Sequence, residues 1–423
     1  MKKLLAIFLS AAMLLALIGC ADQGEEAPAE GNTPSTGVES GEDTIPDGWV
    51  EVDSFQIAAV NHMTGSTALT GTLRENGYEL AKEEINAAGG VNGLPIEIVY
   101  EDDQGTNTGA VSATQKVLSE YESVALMIDR STMVTAVSDV VADAGIPTLF
   151  GATATSIEDL ENPWFFRIRV ADDGNAQIMA KFLVDNLHKE KIAALYAADT
   201  FGEGGNTETK AALDEMYGMT PVTEQRYTSG TRDFTAQLLA IQSAGADVVY
   251  AWGTNSEDNA IILRQFKQLG LDQTMDFIGS AAYASAVTIE LAGENCDGIY
   301  SVYDFSPDDS REELQTWYQS YVDTYDSEPD FWCLSTYDGI KLVADAATRA
   351  GIVKQIGDAF YMPDLETARS MLAEALRETS GFAGAAGEYT CDVNQNMIHN
   401  LAIVQIKDGA LTLVDSVSLD IEK

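Results

Sequence analysis

The sequence predicts an α/β protein built as two similar lobes, each a parallel sheet covered by helices. Three observations carry this. From Phe55 onward short apolar strands alternate with amphipathic helices, and strand–helix–strand order with short links makes a parallel sheet buried on both faces. After 164-WFFRIRV-170 the same scheme begins again, with runs of similar length. Finally, a chain of 423 residues exceeds what one compact core takes, so two lobes are expected.

In order, the first run reads as strands at 55–60, 94–102, 123–128 and 146–151, separated by helices at 72–88, 109–120 and 134–144. The first helix stops at Gly89-Gly90, which supply the left-handed backbone a helix end needs. The second run reads as helices at 176–187, 207–217, 234–243 and 257–269, alternating with strands at 191–199, 222–227, 246–253 and 275–280. Past it come a strand at 298–305, helices at 311–325, 334–350 and 364–378, and a closing pair of strands, 401–406 and 410–417. Asp408-Gly409 between that pair suits a tight reversal. The late helices could complete either sheet; if they return to the first lobe, several segments cross between lobes and form a hinge. The lobes are drawn as 51–170 with 298–384, and 171–297 with 385–423.

The N-terminus has Met1-Lys2-Lys3, an apolar run to Ile18, and Leu17-Ile18-Gly19-Cys20. A basic head, an apolar stretch too short to span as a mature helix and small residues at the cut read as an export signal over 1–19. A cysteine in this place resembles the bacterial lipobox, which implies that Cys20 is acylated and anchors the protein at the extracytoplasmic face of the membrane. The following stretch, drawn as 20–50, is acidic and rich in Gly, Ser, Thr and Pro, and carries no Lys or Arg between 21 and 48. Such a composition cannot offset chain entropy by burial, and reads as a disordered tether.

Acids outnumber bases 67 to 24, a formal net charge of −43. That excludes nucleic acid as a partner, since nothing would neutralise phosphates, and disfavours direct adhesion to anionic lipid. No second apolar run approaches the roughly 20 residues of a membrane-spanning helix. Beyond Cys20 the cysteines are Cys296, Cys333 and Cys391, with no Cys-x-x-Cys. They read as small buried hydrophobes and allow at most one disulfide, Cys296 with Cys391 or Cys333. His62, His188 and His399 stand singly, so no metal and no cofactor is expected.

Parallel sheets bind ligands beyond the carboxyl ends of their strands. Ser131 and Thr132 follow a strand and open a helix, a place that makes either a carboxylate cradle or a plain N-cap. Gly151 and Thr153 follow the next strand; Phe201 lies in a glycine-rich turn; Trp252, Asn255 and Ser256, and then Tyr283, follow two more. Neither a Gly-x-x-x-x-Gly-Lys-Ser/Thr loop, nor a Gly-x-Gly-x-x-Gly fingerprint, nor a Gly-x-Ser-x-Gly elbow is present. The hardware is for binding rather than catalysis.

The stretch 71-GTLRENGYELAKEEINAAGGVNGLPIEIVYEDDQ-104 resembles the branched-chain amino-acid-binding proteins of ABC transporters, as do 141-VADAGIPTLFGATAT-155, 201-FGEGG-205, 231-TRDFTAQLLAIQSAGADVVY-250, 262-ILRQFKQLG-270 and 334-LSTYDGIKLVADA-346. The resemblance implies a type I periplasmic-binding-protein fold of two Rossmann-like lobes joined by three crossing segments, a ligand held between the lobes, and delivery to a membrane permease with its own ATPase. It places an α-carboxylate at Ser131, Gly151 and Thr153, an aromatic wall at Phe201, and a further lining position at Asn255 or Ser256. The acid that receives an α-ammonium would fall at Ala281, a departure that leaves Asp129 and Asp304 as candidate charge partners. Arg130 reads as a clamp for an acidic ligand or as a charge at the rim. Phe201, Trp252 and Tyr283 suit an aromatic or extended ligand. The expectation is a lipid-anchored solute-binding protein for an amino acid or related small carboxylate; the alternative is a sensory ligand-binding module on the same fold.

Overall fold

The computed structural model describes residues 44–417. The signal at 1–19, Cys20, the tether up to residue 43 and the last residues, 418–423, lie outside the described residues.

The chain enters through β1 (Trp49–Val52) and builds its first βα run from β2 (Phe55–Asn61), α1 (Ala68–Ala87), β3 (Ile96–Asp102), α2 (Asn107–Glu120), β4 (Ala125–Ile128), α3 (Ser131–Ala144), β5 (Thr148–Phe150) and β6 (Phe165–Arg167). These strands pair in parallel, in the order β3-β2-β4-β5-β6. All four residues of β4 are buried, as expected for a strand covered on both faces. The second run comprises α4 (Asp172–Lys181), β7 (Ile192–Ala197), α5 (Thr200–Tyr217), β8 (Thr223–Tyr227), α6 (Thr235–Ser243), β9 (Val248–Trp252), α7 (Ser256–Gln268), β10 (Asp276–Gly279), α8 (Ala286–Ala292) and β11 (Tyr300–Tyr303). The chain then continues through α9 (Glu312–Tyr325), α10 (Phe331–Ala350), β12 (Lys354–Ile356), β13 (Ala359–Pro363), α11 (Leu365–Arg377), β14 (Ser380–Ala383), β15 (Glu388–Cys391), β16 (Met397–Ile398), β17 (Leu401–Lys407) and β18 (Ala410–Val417).

The second sheet has seven strands in the order β18-β17-β11-β10-β9-β7-β8. It is parallel from β8 to β11, and β17 and β18 join antiparallel at one edge. Asp408 and Gly409 both take positive φ, 51° and 76°, which is the backbone of a two-residue hairpin turn. The late helices do return to the first lobe. Thr336 Oγ1 of α10 donates to the Arg74 carbonyl of α1 at 3.0 Å. Gly77 is required at that contact, because a Cβ there would collide with Thr336 Oγ1 and the Cys333 carbonyl. Cys296, Cys333 and Cys391 are free thiols, the first two buried. No described helix is long and apolar enough to cross a membrane.

Three corrections follow. Residues Trp49 and Val50, drawn into the tether, already form strand with β13, and the Lys354 ammonium lies 4.7 Å from the Trp49 ring centroid. The lobe boundary at 298 put β11 in the first lobe, whereas it pairs with β10 and β17 in the seven-stranded sheet. The boundary at 385 put β15 and β16 in the second lobe; they pair with β14, and Asn396 bridges to Arg167 at the end of β6. The chain therefore crosses between lobes after β6, after β11 and between β16 and β17.

Candidate functional site

Carboxyl ends of both sheets face one cavity. From the first lobe it takes Asp129, Arg130, Ser131, Gly151 and Thr153. Phe201, Trp252, Thr254 and Ala281 come from the second, and Arg169 and Asp172 from the first crossing.

Three chain segments are tied together here. Ser131 Oγ, at the start of α3, accepts the Ala154 N–H at 3.3 Å. The Asp172 N–H, at the start of α4, donates to the Thr153 carbonyl at 2.8 Å. The loop after β5 is thus held between two helix N-termini, where exposed N–H groups and the helix dipole favour an anion. Gly151 fits because a Cβ would press on Arg169, Asp129 and Ser335, with contacts of 3.1–3.3 Å.

Most charges around the cavity are already paired. Asp129 takes Arg74 Nη2 at 3.0 Å and the Arg130 N–H at 2.7 Å. Arg74 Nη1 donates to His62 Nε2 at 2.7 Å, and His62 Nδ1 meets Asp103 at 2.6 Å. Burial, reinforced by the Arg74 charge, lowers the His62 pKa to about 4, so the ring is neutral and donates from Nδ1. Arg169 grips Asp304 and also donates to the Gly151 carbonyl at 3.2 Å. Asp172 is different. It is fully buried and faces the cavity, and among the described residues it has no ion-pair partner, with the Thr153 hydroxyl beside it. Burial pushes its pKa up to about 7, against the pull of the nearby Thr153 hydroxyl and of Arg167 and Arg169.

The opposite wall is aromatic. Phe201 packs edge-on to Trp252 with ring centroids 5.4 Å apart, and Trp252 Nε1 is satisfied by Thr209 Oγ1 at 3.0 Å. Phe331 and Trp332 are neighbours at 4.2 Å, with Arg169 over the first at 4.4 Å and Arg74 over the second at 4.3 Å.

The cavity therefore brings together Asp129, Arg130, Ser131, Gly151, Thr153, Phe201 and Trp252 among the residues named from sequence. Thr132 lies one step along α3, outside the lining. Asn255 caps α7, accepting the Glu257 and Asp258 N–H groups, and Ser256 Oγ meets Ser285 Oγ at 3.3 Å; both line a neighbouring cavity instead. Tyr283 is a correction: its ring is wholly buried against Phe277, 5.2 Å away, because a short 3-10 turn over Ala281–Ala284 rotates it into the core. Asp304 is another, since Arg169 occupies both its oxygens. The glycine-rich turn at Phe201 is in fact the first turn of α5. Asp172 was missed, having the look of an ordinary first-turn acid beside Asp173.

Residues 54–410 match the family model described as periplasmic binding protein. A Leu/Ile/Val-binding protein homologue of Brucella abortus is 27% identical over 290 residues, 68% of this chain and 76% of that protein. A leucine-, isoleucine-, valine-, threonine- and alanine-binding protein of Pseudomonas aeruginosa is 27% identical over 306 residues, 71% and 79% of the two chains. Among solved structures, a leucine-binding protein of Thermotoga maritima superposes with a TM-score of 0.75 at 24% identity, covering 86% of this chain and 98% of its own. A solute-binding protein from R. palustris, in complex with benzoate, does so at 0.76 and 20%, covering 86% and 96%. With two lobes crossed three times by the chain and a cavity at the carboxyl ends of both sheets, this chain belongs to the periplasmic binding protein family of extracytoplasmic small-molecule-binding proteins.

Proposed function

We propose that this protein captures a free α-amino acid, or a related small carboxylate, between its lobes and delivers it to a membrane permease with its own ATPase. The observation that carries the reading is Asp172, a buried carboxylate with no ion-pair partner among the described residues, next to a cradle suited to an anion. The α-carboxylate goes to Ser131, the 151–153 loop and the positive end of α3. The α-ammonium goes to Asp172, which supplies the negative charge that Ala281 lacks. The relatives named for leucine, isoleucine, valine, threonine and alanine support this class of ligand. Closure of the lobes around the solute is the state the permease would recognise. Acylation of Cys20 would hold the protein at the membrane, and Cys20→Ser should release it from the membrane fraction.

A second reading, an aromatic carboxylate, is favoured by the Phe201–Trp252 wall and by the benzoate complex of a structural neighbour. Thermal shift of the purified protein separates the two. At a hundredfold excess over its dissociation constant an amino acid should add about 2.7 kcal/mol of stability, and Asp172→Asn should abolish the shift. Shifts confined to acids without an amino group would replace the first reading by the second.

A further inference from the structure

Arg130 is the charge around this cleft that the amino-acid reading leaves over. Its backbone N–H is used by Asp129, yet its guanidinium enters no hydrogen bond or ion pair among the described residues. The neighbouring cations differ: Arg74 has Asp129 and His62, Arg167 has Glu158, and Arg169 has Asp304. Arg130 is nonetheless partly buried, and desolvation holds its pKa below the usual arginine value. Its backbone sits at φ 67°, ψ 125°, a conformation that strains a residue with a side chain by about 1–3 kcal/mol. A glycine would relieve that strain; the chain carries an arginine there.

The side chain stands where two cavities adjoin. Arg130, Thr254 and Trp332 line both the ligand cavity and a second one, whereas Asp172, Gly151 and Thr153 line only the first. His62, Ser66, Thr67, Thr70, Asn255 and Ser256 supply polar groups to the second cavity, and Glu257, which also lines it, is paired with Arg232. Helix α1 begins there behind Thr67, which makes no side-chain cap and whose Oγ1 has no partner among the described residues. Helix α7 begins there at Ser256. A guanidinium without a hydrogen-bond acceptor, with the Asp103, Asp129 and Asp199 carboxylates acting on it from a distance, thus adjoins two positive helix ends.

Hydrogen-bond accounting then constrains the ligand. With the ammonium on Asp172 and the α-carboxylate on the Ser131 cradle, a neutral side chain would close the lobes over guanidinium N–H groups that have no acceptor, which is costly. A side-chain carboxylate would close the account through two parallel charge-assisted hydrogen bonds. The geometry points to a ligand with a second anionic group, an acidic amino acid whose side-chain anion is held by Arg130 where the two cavities meet. This inference rests on the amino-acid reading of the cleft.

Isothermal titration of the purified protein with L-glutamate and L-aspartate, against L-glutamine, L-asparagine and L-leucine, tests it. The acids should bind about 10–100-fold more tightly than their amides. Arg130→Met should bring the acid-to-amide ratio to about one, and Arg130→Lys should retain part of the preference. Amides or leucine binding the wild type as tightly as the acids, or a preference that survives Arg130→Met, would overturn the role of Arg130. The amino-acid reading would then still stand, provided Asp172→Asn abolished that binding. If no α-amino acid binds, both fall. Should the Met variant fail to fold, the wild-type ratio and the Lys variant decide the matter.

Discussion

Arg169 grips Asp304 through two parallel hydrogen bonds, Nε to Oδ1 at 2.8 Å and Nη2 to Oδ2 at 2.7 Å. Arg169 lies on the first crossing between the lobes and Asp304 on the second, while His399 of the third brings Nε2 to 3.9 Å from the same carboxylate. All three crossings therefore meet at one buried ion pair. Removing one partner of such a pair costs about 3–5 kcal/mol, because the other is left buried and unpaired. Asp304→Leu should lose that much stability in urea unfolding, and the double variant Arg169→Met/Asp304→Leu should regain much of it. An Asp304→Leu protein as stable as the wild type would remove the pair from the hinge.

Asp172 makes ligand binding depend on pH. Its pKa of about 7 means that the empty protein holds a proton there through part of the neutral range. An ammonium would select the ionised form. Affinity for an amino acid should therefore rise about tenfold between pH 6 and pH 8. Titration in matched buffers checks this, and a flat profile would contradict it.

The same group acts on stability with the opposite sign. Its folded pKa is raised above the ordinary 3.8, so its stabilising contribution is complete below that value and is lost as pH rises through about 7. Asp172→Asn should raise the melting temperature of the empty protein at pH 8 and change it little at pH 4, while abolishing amino-acid binding. Scanning calorimetry at the two values reads the difference.

Ser131→Ala and Thr153→Val should each weaken a carboxylate ligand by about 1–3 kcal/mol, as expected for a lost hydrogen bond to a charged group. Unchanged titration isotherms would move the carboxylate elsewhere in the cavity.

Gly205 lies under the aromatic wall. A Cβ on it would enter the Trp252 ring, and Trp252 is held in place by Thr209. Gly205→Ala should cost about 1–3 kcal/mol by overpacking. It should also weaken binding by tilting Trp252 into the cavity, which tryptophan fluorescence would report.

The succession of strands was legible because buried parallel strands write themselves as apolar runs, 246-ADVVYAWG-253 being one. Helix starts were not. Helix α5 begins at Thr200 rather than 207, α3 at Ser131 rather than 134, and α4 at Asp172 rather than 176. The reason is the site itself. First helical turns face the cleft, so their residues answer to the ligand and the loop after β5 rather than to an apolar stripe. Asp172 was hidden for that reason, although Ser131 and Thr153, read from strand ends, line the cavity it faces. Tyr283 shows the converse: a strand-end position says nothing about which way a ring turns, and Ala281–Ala284 turns it inward. The small sheet of β1, β12 and β13 was illegible because its longest strand has five residues and two of its three fill the short link between the late helices α10 and α11.

Helix α1 packs on α10, more than two hundred residues downstream, and β11 is flanked by β17, close to the end of the chain. Neither lobe can be finished by a nascent polypeptide that lacks its last third. Assembly dominated by such distant pairings is slow, because long loops must close before any contact rewards them. A polypeptide made on one side of a membrane and used on the other must stay threadable until its tail has been synthesised. In this topology the order of the elements along the chain imposes that delay.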